Sequence, residues 1–331
     1  MSILTQARVL VTGATGMLGS HAVKALLARG HQVTALVRDE AKAARVFGDQ
    51  PVILRRGDIA AEDTVARALD GCNAVIHCAA VIAFDTAKDP RALIETNVAG
   101  VRNVVGKALQ LGVERVVHVS SIAPLFRSDG QPITEDAELQ PSKRAYSQSK
   151  MEADLYVRAL QGAGKPVKIL YPGAIIGPDD PGLTESMHSI QIFANQFLPL
   201  TTSGIQYVDV RDLGYALAKM IEDTPGAKRY IAAGHFLTWP ELAEALERAT
   251  GKRPPAYRVP AWTLRLAGTL SDALRWLVPI DLPVSTESVS YVTRWTPIEN
   301  SKDFERLGVQ FRPVEESIAD SVAWLRAAGH L

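Results

Sequence analysis

The segment YSQSK places Tyr146 and Lys150 four residues apart, the spacing that brings two side chains onto one face of an α-helix. A phenol with a pKa of about 10 transfers protons poorly near neutral pH, but a neighbouring ammonium lowers that pKa because it favours the phenolate. Ser121 ends the segment RVVHVSS and can hold a carbonyl oxygen beside the phenol, so that hydride reaches carbon while a proton reaches oxygen. These residues predict carbonyl–alcohol chemistry. Alone, such a pair is more often an ordinary helix-surface pair, so the prediction depends on the surrounding elements.

Strands and helices alternate along residues 7–125. The β-branched runs RVLVTG, QVTALVR, NAVIHCAA and RVVHVSS are typical of buried strands, and longer helical patterns separate them. Connections of this length exclude hairpins and indicate parallel pairing. The sequence therefore predicts an α/β fold with a Rossmann-type doubly wound parallel sheet, which VKILYPG and RYIAAG extend.

The regular alternation weakens beyond Gly173, where prolines are frequent and no strict period holds. We expect residues 1–172 to form a dinucleotide-binding Rossmann domain, with sheet elements returning at about 205–235. Residues 173–204 and 236–331 would form a smaller, irregular substrate-binding lobe. A substrate pocket is then expected between this lobe and the carboxyl ends of the strands.

Three glycines follow the first predicted strand and open the first predicted helix: Gly13, Gly16 and Gly19. Gly13 allows a tight turn, Gly16 lets the backbone approach a pyrophosphate, and Gly19 permits close packing of helix on sheet. The helix N-terminus adds unpaired N–H groups and the positive end of a dipole. The order strand, glycine loop, helix therefore predicts dinucleotide binding.

The end of the second strand, ALVRDEAK, indicates which dinucleotide is bound. An acidic side chain there accepts hydrogen bonds from a ribose 2′-OH, whereas an arginine pairs with a 2′-phosphate. Val37 stands at the position expected for the acid, and Arg38 and Lys42 follow, which favours NADP on charge grounds. Asp39 can either cap the next helix or reach the ribose, so NAD remains an alternative.

Two further turns can contact the nucleotide. Asp58 follows the third strand and can accept a hydrogen bond from an adenine amino group, with Ile59 packed on the ring. Ala79 and Ala80 end the fourth strand and let the backbone pass close to a ribose. Both features also occur in proteins as plain turn and packing positions.

Composition excludes several classes of function. The chain of 331 residues has equal numbers of basic and acidic residues, 36 of each, so no net field attracts nucleic acid or a membrane surface. Two cysteines exclude a disulfide scaffold, and the scattered histidines predict no metal site. The absence of a signal peptide pattern predicts a cytoplasmic protein. The segment WTLRLAGTLSDALRWLVPI is too charged to span a bilayer; we expect an amphipathic helix that covers apolar surface, with peripheral membrane contact as the alternative.

Taken together, these motifs resemble the extended short-chain dehydrogenase/reductases of the NAD-dependent epimerase/dehydratase superfamily. The resemblance covers most of residues 7–215 and is carried by TGATGMLG, GDI, HCAA, SS, YSQSK, YPGAIIGP and VDVRDL. It implies that Tyr146 is the general acid/base, that Lys150 holds the nicotinamide ribose and lowers the tyrosine pKa, and that Ser121 orients the substrate. It also implies further cofactor-binding residues: Thr15, Met17 and Leu18 in the glycine loop, and Pro172 and Gly173 beside the nicotinamide.

Within this family, VRD and PGAIIGP look most like the dihydroflavonol reductase and 3β-hydroxysteroid dehydrogenase-like branch, which acts on apolar carbonyl/alcohol pairs. We therefore expect an NADP-preferring oxidoreductase with a small, hydrophobic substrate and no nucleic-acid or integral-membrane partner. A sugar-nucleotide epimerase/dehydratase and a non-catalytic NADP-binding regulatory protein are the alternatives, and a homodimer is open. The segment SSIAPLFRSDG lacks the acidic pair of dehydratases, and retention of Ser121, Tyr146 and Lys150 favours an enzyme.

Overall fold

The computed structural model describes residues 6–80, 90–127, 129, 132–142, 145–277, 286–295 and 297–331. The strands are β1 (Arg8–Thr12), β2 (Gln32–Val37), β3 (Val52–Arg56), β4 (Ala74–His77), β5 (Arg115–Val119), β6 (Val167–Pro172), β7 (Ala174–Ile176), β8 (Leu198–Leu200), β9 (Gly204–Asp209), β10 (Lys228–Ala232), β11 (His235–Thr238) and β12 (Ala256–Arg258). Seven of them form one central sheet, in the order β10-β6-β5-β4-β1-β2-β3.

Every pairing in this central sheet is parallel. The chain runs outward from β1 through β2 to β3, then returns to β4 and continues outward through β5 and β6 on the other side. This reversal between β1 and β4 opens a crevice at their carboxyl ends, the position where doubly wound sheets bind ligands. The predicted doubly wound α/β fold is confirmed.

Helices cover both faces of the sheet and build the C-terminal part of the chain. They are α1 (Met17–Ala28), α2 (Glu40–Phe47), α3 (Glu62–Leu69), α4 (Pro90–Val101), α5 (Lys107–Gln110), α6 (Ala145–Gly162), α7 (Glu185–Asn195), α8 (Val210–Glu222), α9 (Trp239–Thr250), α10 (Ala261–Leu277), α11 (Thr286–Arg294), α12 (Asp303–Arg306) and α13 (Val314–Ala327). A π-helical turn, Arg102–Gly106, joins α4 to α5, and a 3₁₀ turn, Ala123–Leu125, follows β5.

The core lies in two layers because successive side chains of a strand point to opposite faces. Val9 and Val11 of β1 pack with apolar side chains of α1 and α8, whereas Leu10, between them, packs with those of α3, α6 and the π-helical turn. The first layer continues into the C-terminal part, where Trp239 and Ile318 belong to the same buried cluster. The sheet and the C-terminal helices are therefore joined by one continuous apolar core.

The later strands divide between two sheets. Strand β10 joins the central sheet beside β6. Strand β9 instead pairs with β7 and β11 in a separate three-stranded sheet. Strands β8 and β12 form a two-stranded sheet. Residues 204–209 therefore contribute to the smaller C-terminal architecture and not to the Rossmann sheet.

Helix α10 differs from its sequence expectation. It forms where the amphipathic pattern predicts it, but Trp262, Leu266 and Leu270 are exposed, so these side chains do not cover apolar surface. Among the described residues, no helix is long and apolar enough to cross a membrane.

Candidate functional site

The glycine loop after β1 has the geometry that its sequence predicts. Gly13 has φ +69, and a Cβ built there would lie 2.7 Å from the backbone nitrogen of Ala79. A Cβ at Gly19 would overlap the carbonyl oxygen of Gly13, whereas a Cβ at Gly16 would meet that same oxygen at 3.3 Å. Gly13 and Gly19 are therefore required by the fold itself. Of the three glycines, Gly16 is the exposed one, and because it has no side chain another molecule can approach its backbone.

Helix α1 begins directly after this loop. Met17 and Leu18 are buried and form its first turn, and Thr15 is half-buried in the loop before it. The first N–H groups of a helix have no acceptor within the helix and can bind an anion. The side chains of Met17 and Leu18 therefore anchor a helix end whose backbone can hold a pyrophosphate.

The end of β2 exposes two basic residues. Arg38 is exposed, Lys42 is half-buried in the first turn of α2, and neither pairs with an acidic side chain of the described residues. The Asp39 carboxylate accepts a hydrogen bond from the Lys42 backbone nitrogen at 2.9 Å and caps α2. The capping hydrogen bonds lower the pKa of Asp39. Asp39 thus takes the capping role of its two sequence interpretations, and Arg38 projects its charge into solvent.

The turn after β3 is held in place by neighbouring helices. The backbone nitrogen of Ala60 donates to the Asp58 carboxylate at 2.9 Å, and the Asn103 amide donates to the carbonyl of Ile59 at 2.8 Å. A Cβ at Gly100 would collide with the Ile59 side chain, so that side chain lies against the backbone of α4. Asp58 and Ile59 therefore have fixed positions at the edge of the crevice.

The three predicted catalytic residues are brought to the carboxyl end of β5. Lys150 is buried on α6 and its Nζ donates to the carbonyl oxygen of Val119 at 3.3 Å, two residues before Ser121. The ammonium lies 5.8 Å from the centroid of the Tyr146 ring. Ser121 is half-buried, and its Oγ accepts a hydrogen bond from the backbone nitrogen of Ala123 at 3.1 Å.

The acid–base properties of this pair differ from the sequence expectation. Burial, and then the negative charge of Glu185, raise the pKa of Tyr146, whereas Lys150 was expected to lower it. Burial lowers the pKa of Lys150 to about 8. The Lys150 ammonium donates to the Val119 carbonyl and lies over the tyrosine ring, and burial of the phenol outweighs the effect of its charge. Glu185, at the start of α7, was not identified from the sequence because it is 39 positions from Tyr146.

Buried polar contacts fix the start of helix α6. The Asn97 amide donates to the Ser149 hydroxyl at 2.9 Å, and that hydroxyl donates to the carbonyl of Tyr146 at 2.7 Å. Asn97 therefore links α4 to the backbone of the predicted catalytic residue.

One turn after Lys150, a buried network joins α6 to β6. Asp154 accepts hydrogen bonds from Arg158 at 3.0 Å and from the Tyr171 hydroxyl at 3.0 and 3.2 Å. Tyr171 directly precedes Pro172 and Gly173 at the end of β6. A Cβ at Gly173 would lie 2.6 Å from the carbonyl oxygen of Ala233, so the strand end can only pack this closely with glycine.

The end of β4 lies beside the same region. Ala79 and Ala80 are half-buried, and the backbone of Ala79 contacts Gly13 across the crevice. Two residues before Ala79, His77 is buried with its Nδ1 2.7 Å from the hydroxyl of Thr12, and its ring stacks on that of His118. Burial lowers the pKa of His77 to about 3, so this histidine is neutral at physiological pH.

The VDVRDL segment has a structural role. Arg211 pairs with Asp209 at 2.8 Å and with Asp320 of α13 at 2.7 Å, and Arg312 pairs with Asp212 at 2.7 Å. These ion pairs tie α8 to the C-terminal part of the chain. No group of three or more His, Cys, Asp or Glu side chains in the described part of the chain could hold a metal ion.

Comparison with known proteins agrees with this arrangement. Residues 9–233 match the family model described as the NAD dependent epimerase/dehydratase family. The chain is 30% identical over 336 residues to the "Putative dihydroflavonol 4-reductase" of Synechocystis sp., covering 97% of this chain and 95% of that protein. It is 29% identical to sterol demethylase protein B of Methylococcus capsulatus, covering 97% and 98%. The crystal structure of gox2253 superposes with a TM-score of 0.83 at 28% identity, covering 98% of this chain and 99% of that one. The chain therefore belongs to the NAD dependent epimerase/dehydratase family and is an NAD(P)-dependent enzyme of the extended short-chain dehydrogenase/reductase type.

Proposed function

We propose that the protein is an NADP-preferring oxidoreductase that transfers hydride between nicotinamide and a carbonyl or secondary alcohol of a mostly apolar small molecule. The observation that carries the proposal is the position of Lys150. Its buried ammonium donates to the Val119 carbonyl at the end of β5, two residues before Ser121, and lies 5.8 Å from the centroid of the Tyr146 ring, which supports a shared site. An ordinary surface pair of a helix would expose both side chains.

The residues of the chain divide the reaction between them. The nicotinamide cofactor supplies or accepts the hydride when it is bound. In reduction, the Tyr146 hydroxyl donates its proton to the substrate oxygen while Ser121 holds that oxygen, so the carbonyl gains one hydride and one proton. Burial raises the pKa of Tyr146, so its hydroxyl carries the proton that reduction requires near neutral pH. Lys150 supplies a positive charge that stabilises the phenolate left behind.

The NADP preference rests on the end of β2. Arg38 is exposed and has no acidic partner among the described residues, and Asp39, which could have bound a ribose, caps α2 instead. A 2′-phosphate beside Arg38 would form a charge-assisted hydrogen bond, worth about 1.5–3 kcal/mol or roughly ten- to a hundredfold in affinity. Gly16 and the first turn of α1 would hold the pyrophosphate.

The apolar substrate class is supported by two observations. The 3₁₀ turn after Ser121 buries Pro124 and Leu125, so this segment carries no acid for a dehydratase step. Relatives named for a dihydroflavonol and for a sterol indicate ring systems of low polarity. We therefore propose a hydrophobic aldehyde, ketone or secondary alcohol, and not a nucleotide sugar.

Cofactor binding is tested first, by fluorescence titration with NADPH and NADH. Arg38→Ser should weaken NADPH binding about tenfold or more and leave NADH binding unchanged. Arg67→Ser is the matched control, because Arg67 is an exposed arginine of α3 paired only with Asp63 at the surface among the described residues. Equal loss of both cofactors in Arg38→Ser, or equal loss in the control, would contradict the assignment of Arg38.

Turnover is tested with a panel of aromatic aldehydes and hydrophobic ketones. Tyr146→Phe should bind NADPH normally and lose about 10²–10⁴-fold in turnover, the usual contribution of a general acid. Tyr156→Phe is the control, because Tyr156 lies on the same helix but packs against Gly106. Full activity of Tyr146→Phe, or failure of the wild-type protein to bind either nucleotide, would refute the proposal.

A further inference from the structure

Helix α10 carries an apolar stripe that faces solvent. Trp262, Leu266 and Leu270 follow one another at intervals of four residues, which places them on one side of the helix. Their exposed fractions are 65%, 52% and 61%. Three of the nine large exposed hydrophobic side chains in the described part of the chain therefore lie on a single helix face, whereas scattered single exposures are the norm for a soluble surface.

An exposed aromatic side chain also lies on the strand that precedes α10 in the chain. Tyr257 of β12 is exposed five residues before Trp262, and its ring stacks on that of Phe197 with centroids 5.6 Å apart. Tyrosine and tryptophan combine an apolar ring with a polar group and are the side chains most suited to a boundary between water and a nonpolar phase.

The same part of the sequence is strongly basic in an otherwise neutral protein. Residues 248–271 contain five arginines and lysines and no aspartate or glutamate, although the whole chain has 36 basic and 36 acidic residues. Lys252, Arg253 and Arg258 are exposed, and none of them pairs with an acidic side chain of the described residues. The segment that leads into the apolar stripe therefore carries a local excess of positive charge.

We propose that the α10 face, defined as Trp262, Leu266 and Leu270 with the basic residues of the preceding loop, binds the surface of an anionic lipid bilayer. A helix with a row of Trp and Leu, flanked by Lys and Arg, lies in the plane of a membrane with its apolar side among the acyl chains. The flanking cations bind the negatively charged headgroups. This contact is peripheral and is independent of the redox chemistry of the crevice.

Charge also distinguishes this occupant from a second copy of the chain. In a symmetric dimer the same patch meets itself, so Lys252, Arg253 and Arg258 would approach their own copies. Like charges brought together across an interface oppose association. An anionic bilayer surface, in contrast, can accept the apolar row among its acyl chains and bind the cations of the preceding loop through its headgroups.

The test is flotation of the full-length protein with vesicles of phosphatidylcholine alone or with added phosphatidylglycerol. The wild-type protein should float with the anionic vesicles and remain mostly unbound with neutral ones, and high salt should reduce its binding. The double variant Trp262→Ser/Leu266→Ser should lower the partition coefficient by about tenfold or more, because each side chain loses its transfer into the apolar phase. Arg253→Glu/Arg258→Glu should lower binding to anionic vesicles selectively.

Leu111→Ser is the matched control, because Leu111 is 57% exposed and lies elsewhere in the chain, after α5. It should bind vesicles as the wild-type protein does. Circular dichroism and NADPH binding verify that each variant is folded, and all of these substitutions are at exposed positions. The proposal is overturned if the wild-type protein binds neither vesicle, or if the double variant binds as well as wild type. It is also overturned if sedimentation shows a wild-type dimer that the double variant abolishes.

Discussion

The network that joins helix α6 to strand β6 offers a sharp test of the packing around the site. Asp154 is completely buried and its carboxylate is held by the guanidinium of Arg158 and the hydroxyl of Tyr171. Arg158 also donates to the carbonyl of Ala137 at 2.9 Å. The change Arg158→Met keeps much of the volume of the side chain but leaves the buried carboxylate without its hydrogen-bonded cation.

The expected cost follows from the burial of Asp154. Removing one partner of a buried ion pair costs about 3–5 kcal/mol, because the remaining charge is uncompensated. Unfolding entropy of about 2.1 cal/mol/K per residue gives, for 331 residues, a decrease in melting temperature of about 1.4 °C per kcal/mol. Arg158→Met should therefore melt about 4–7 °C below the wild-type protein if the chain unfolds as one unit.

The pH dependence gives an independent signature. Burial already raises the pKa of Asp154, and Arg158 opposes that shift, so Arg158→Met should raise this pKa further. A carboxyl whose pKa is higher in the folded than in the unfolded state loses stability as the pH rises above the unfolded value. The difference in melting temperature between Arg158→Met and wild type should therefore shrink as the pH is lowered toward 4.

The assay is thermal unfolding followed by circular dichroism, for wild type, Arg158→Met and Arg158→Met/Asp154→Asn. The double variant removes the unpaired charge and keeps an acceptor for the Tyr171 hydroxyl, so it should recover most of the lost stability and show no such pH dependence. The reasoning is refuted if Arg158→Met costs less than about 1 kcal/mol, or if the double variant is less stable than the single one.

Three other predictions concern the crevice and its surroundings. Gly16→Ala should fold normally and bind NADPH at least about tenfold more weakly. Gly19→Ala should instead lower the melting temperature, because its Cβ would overlap the carbonyl of Gly13. Normal NADPH binding by Gly16→Ala would contradict the role of Gly16 in holding the pyrophosphate. Glu185→Gln should shift the alkaline limb of the pH–rate profile for carbonyl reduction to lower pH, because the negative charge of Glu185 raises the pKa of Tyr146; an unchanged limb would show that this charge is screened. The pKa of His77 is about 3 in the folded state, below its unfolded value of 6.5, so the free energy of unfolding should fall as the pH drops through 6.5. This side chain should account for a loss of about 2 kcal/mol at pH 5. Urea titrations of the wild-type protein and His77→Asn at both pH values measure that difference.

Features that depend on short-range pattern were predictable from the sequence. The alternation of Val9, Leu10 and Val11 fixes the two faces of the first strand, and the spacing of Gly13, Gly16 and Gly19 fixes the loop after it, because both depend on neighbours in the chain. The spacing of Tyr146 and Lys150 likewise predicts a shared helix face, which α6 provides.

Features that depend on distant contacts were not predictable. The effect of Glu185 on the Tyr146 pKa and the pairing of Asp154 with Tyr171 join elements that no local periodicity relates. Strand β9 lies in the range expected to return to the Rossmann sheet, but it pairs with β7 and β11 in a separate sheet. The α10 face has the pattern of a helix that covers a core, and only the three-dimensional arrangement shows that its apolar side is uncovered.

The π-helical turn Arg102–Gly106 has a consequence for insertions and deletions in this chain. A π turn holds about one more residue than an α turn, so it absorbs that residue while the helices on either side keep nearly the same orientation. Removing a single residue from this turn would therefore restore α-helical geometry and leave α4 almost unrotated relative to α5. Removing one from α4 between Asn97 and the π turn would instead rotate Asn97 by about 100°. Asn97 would then point away from Ser149, and the backbone of Tyr146 would lose its link to α4. The π turn is therefore the place in this helix where the loss of one residue disturbs that link least.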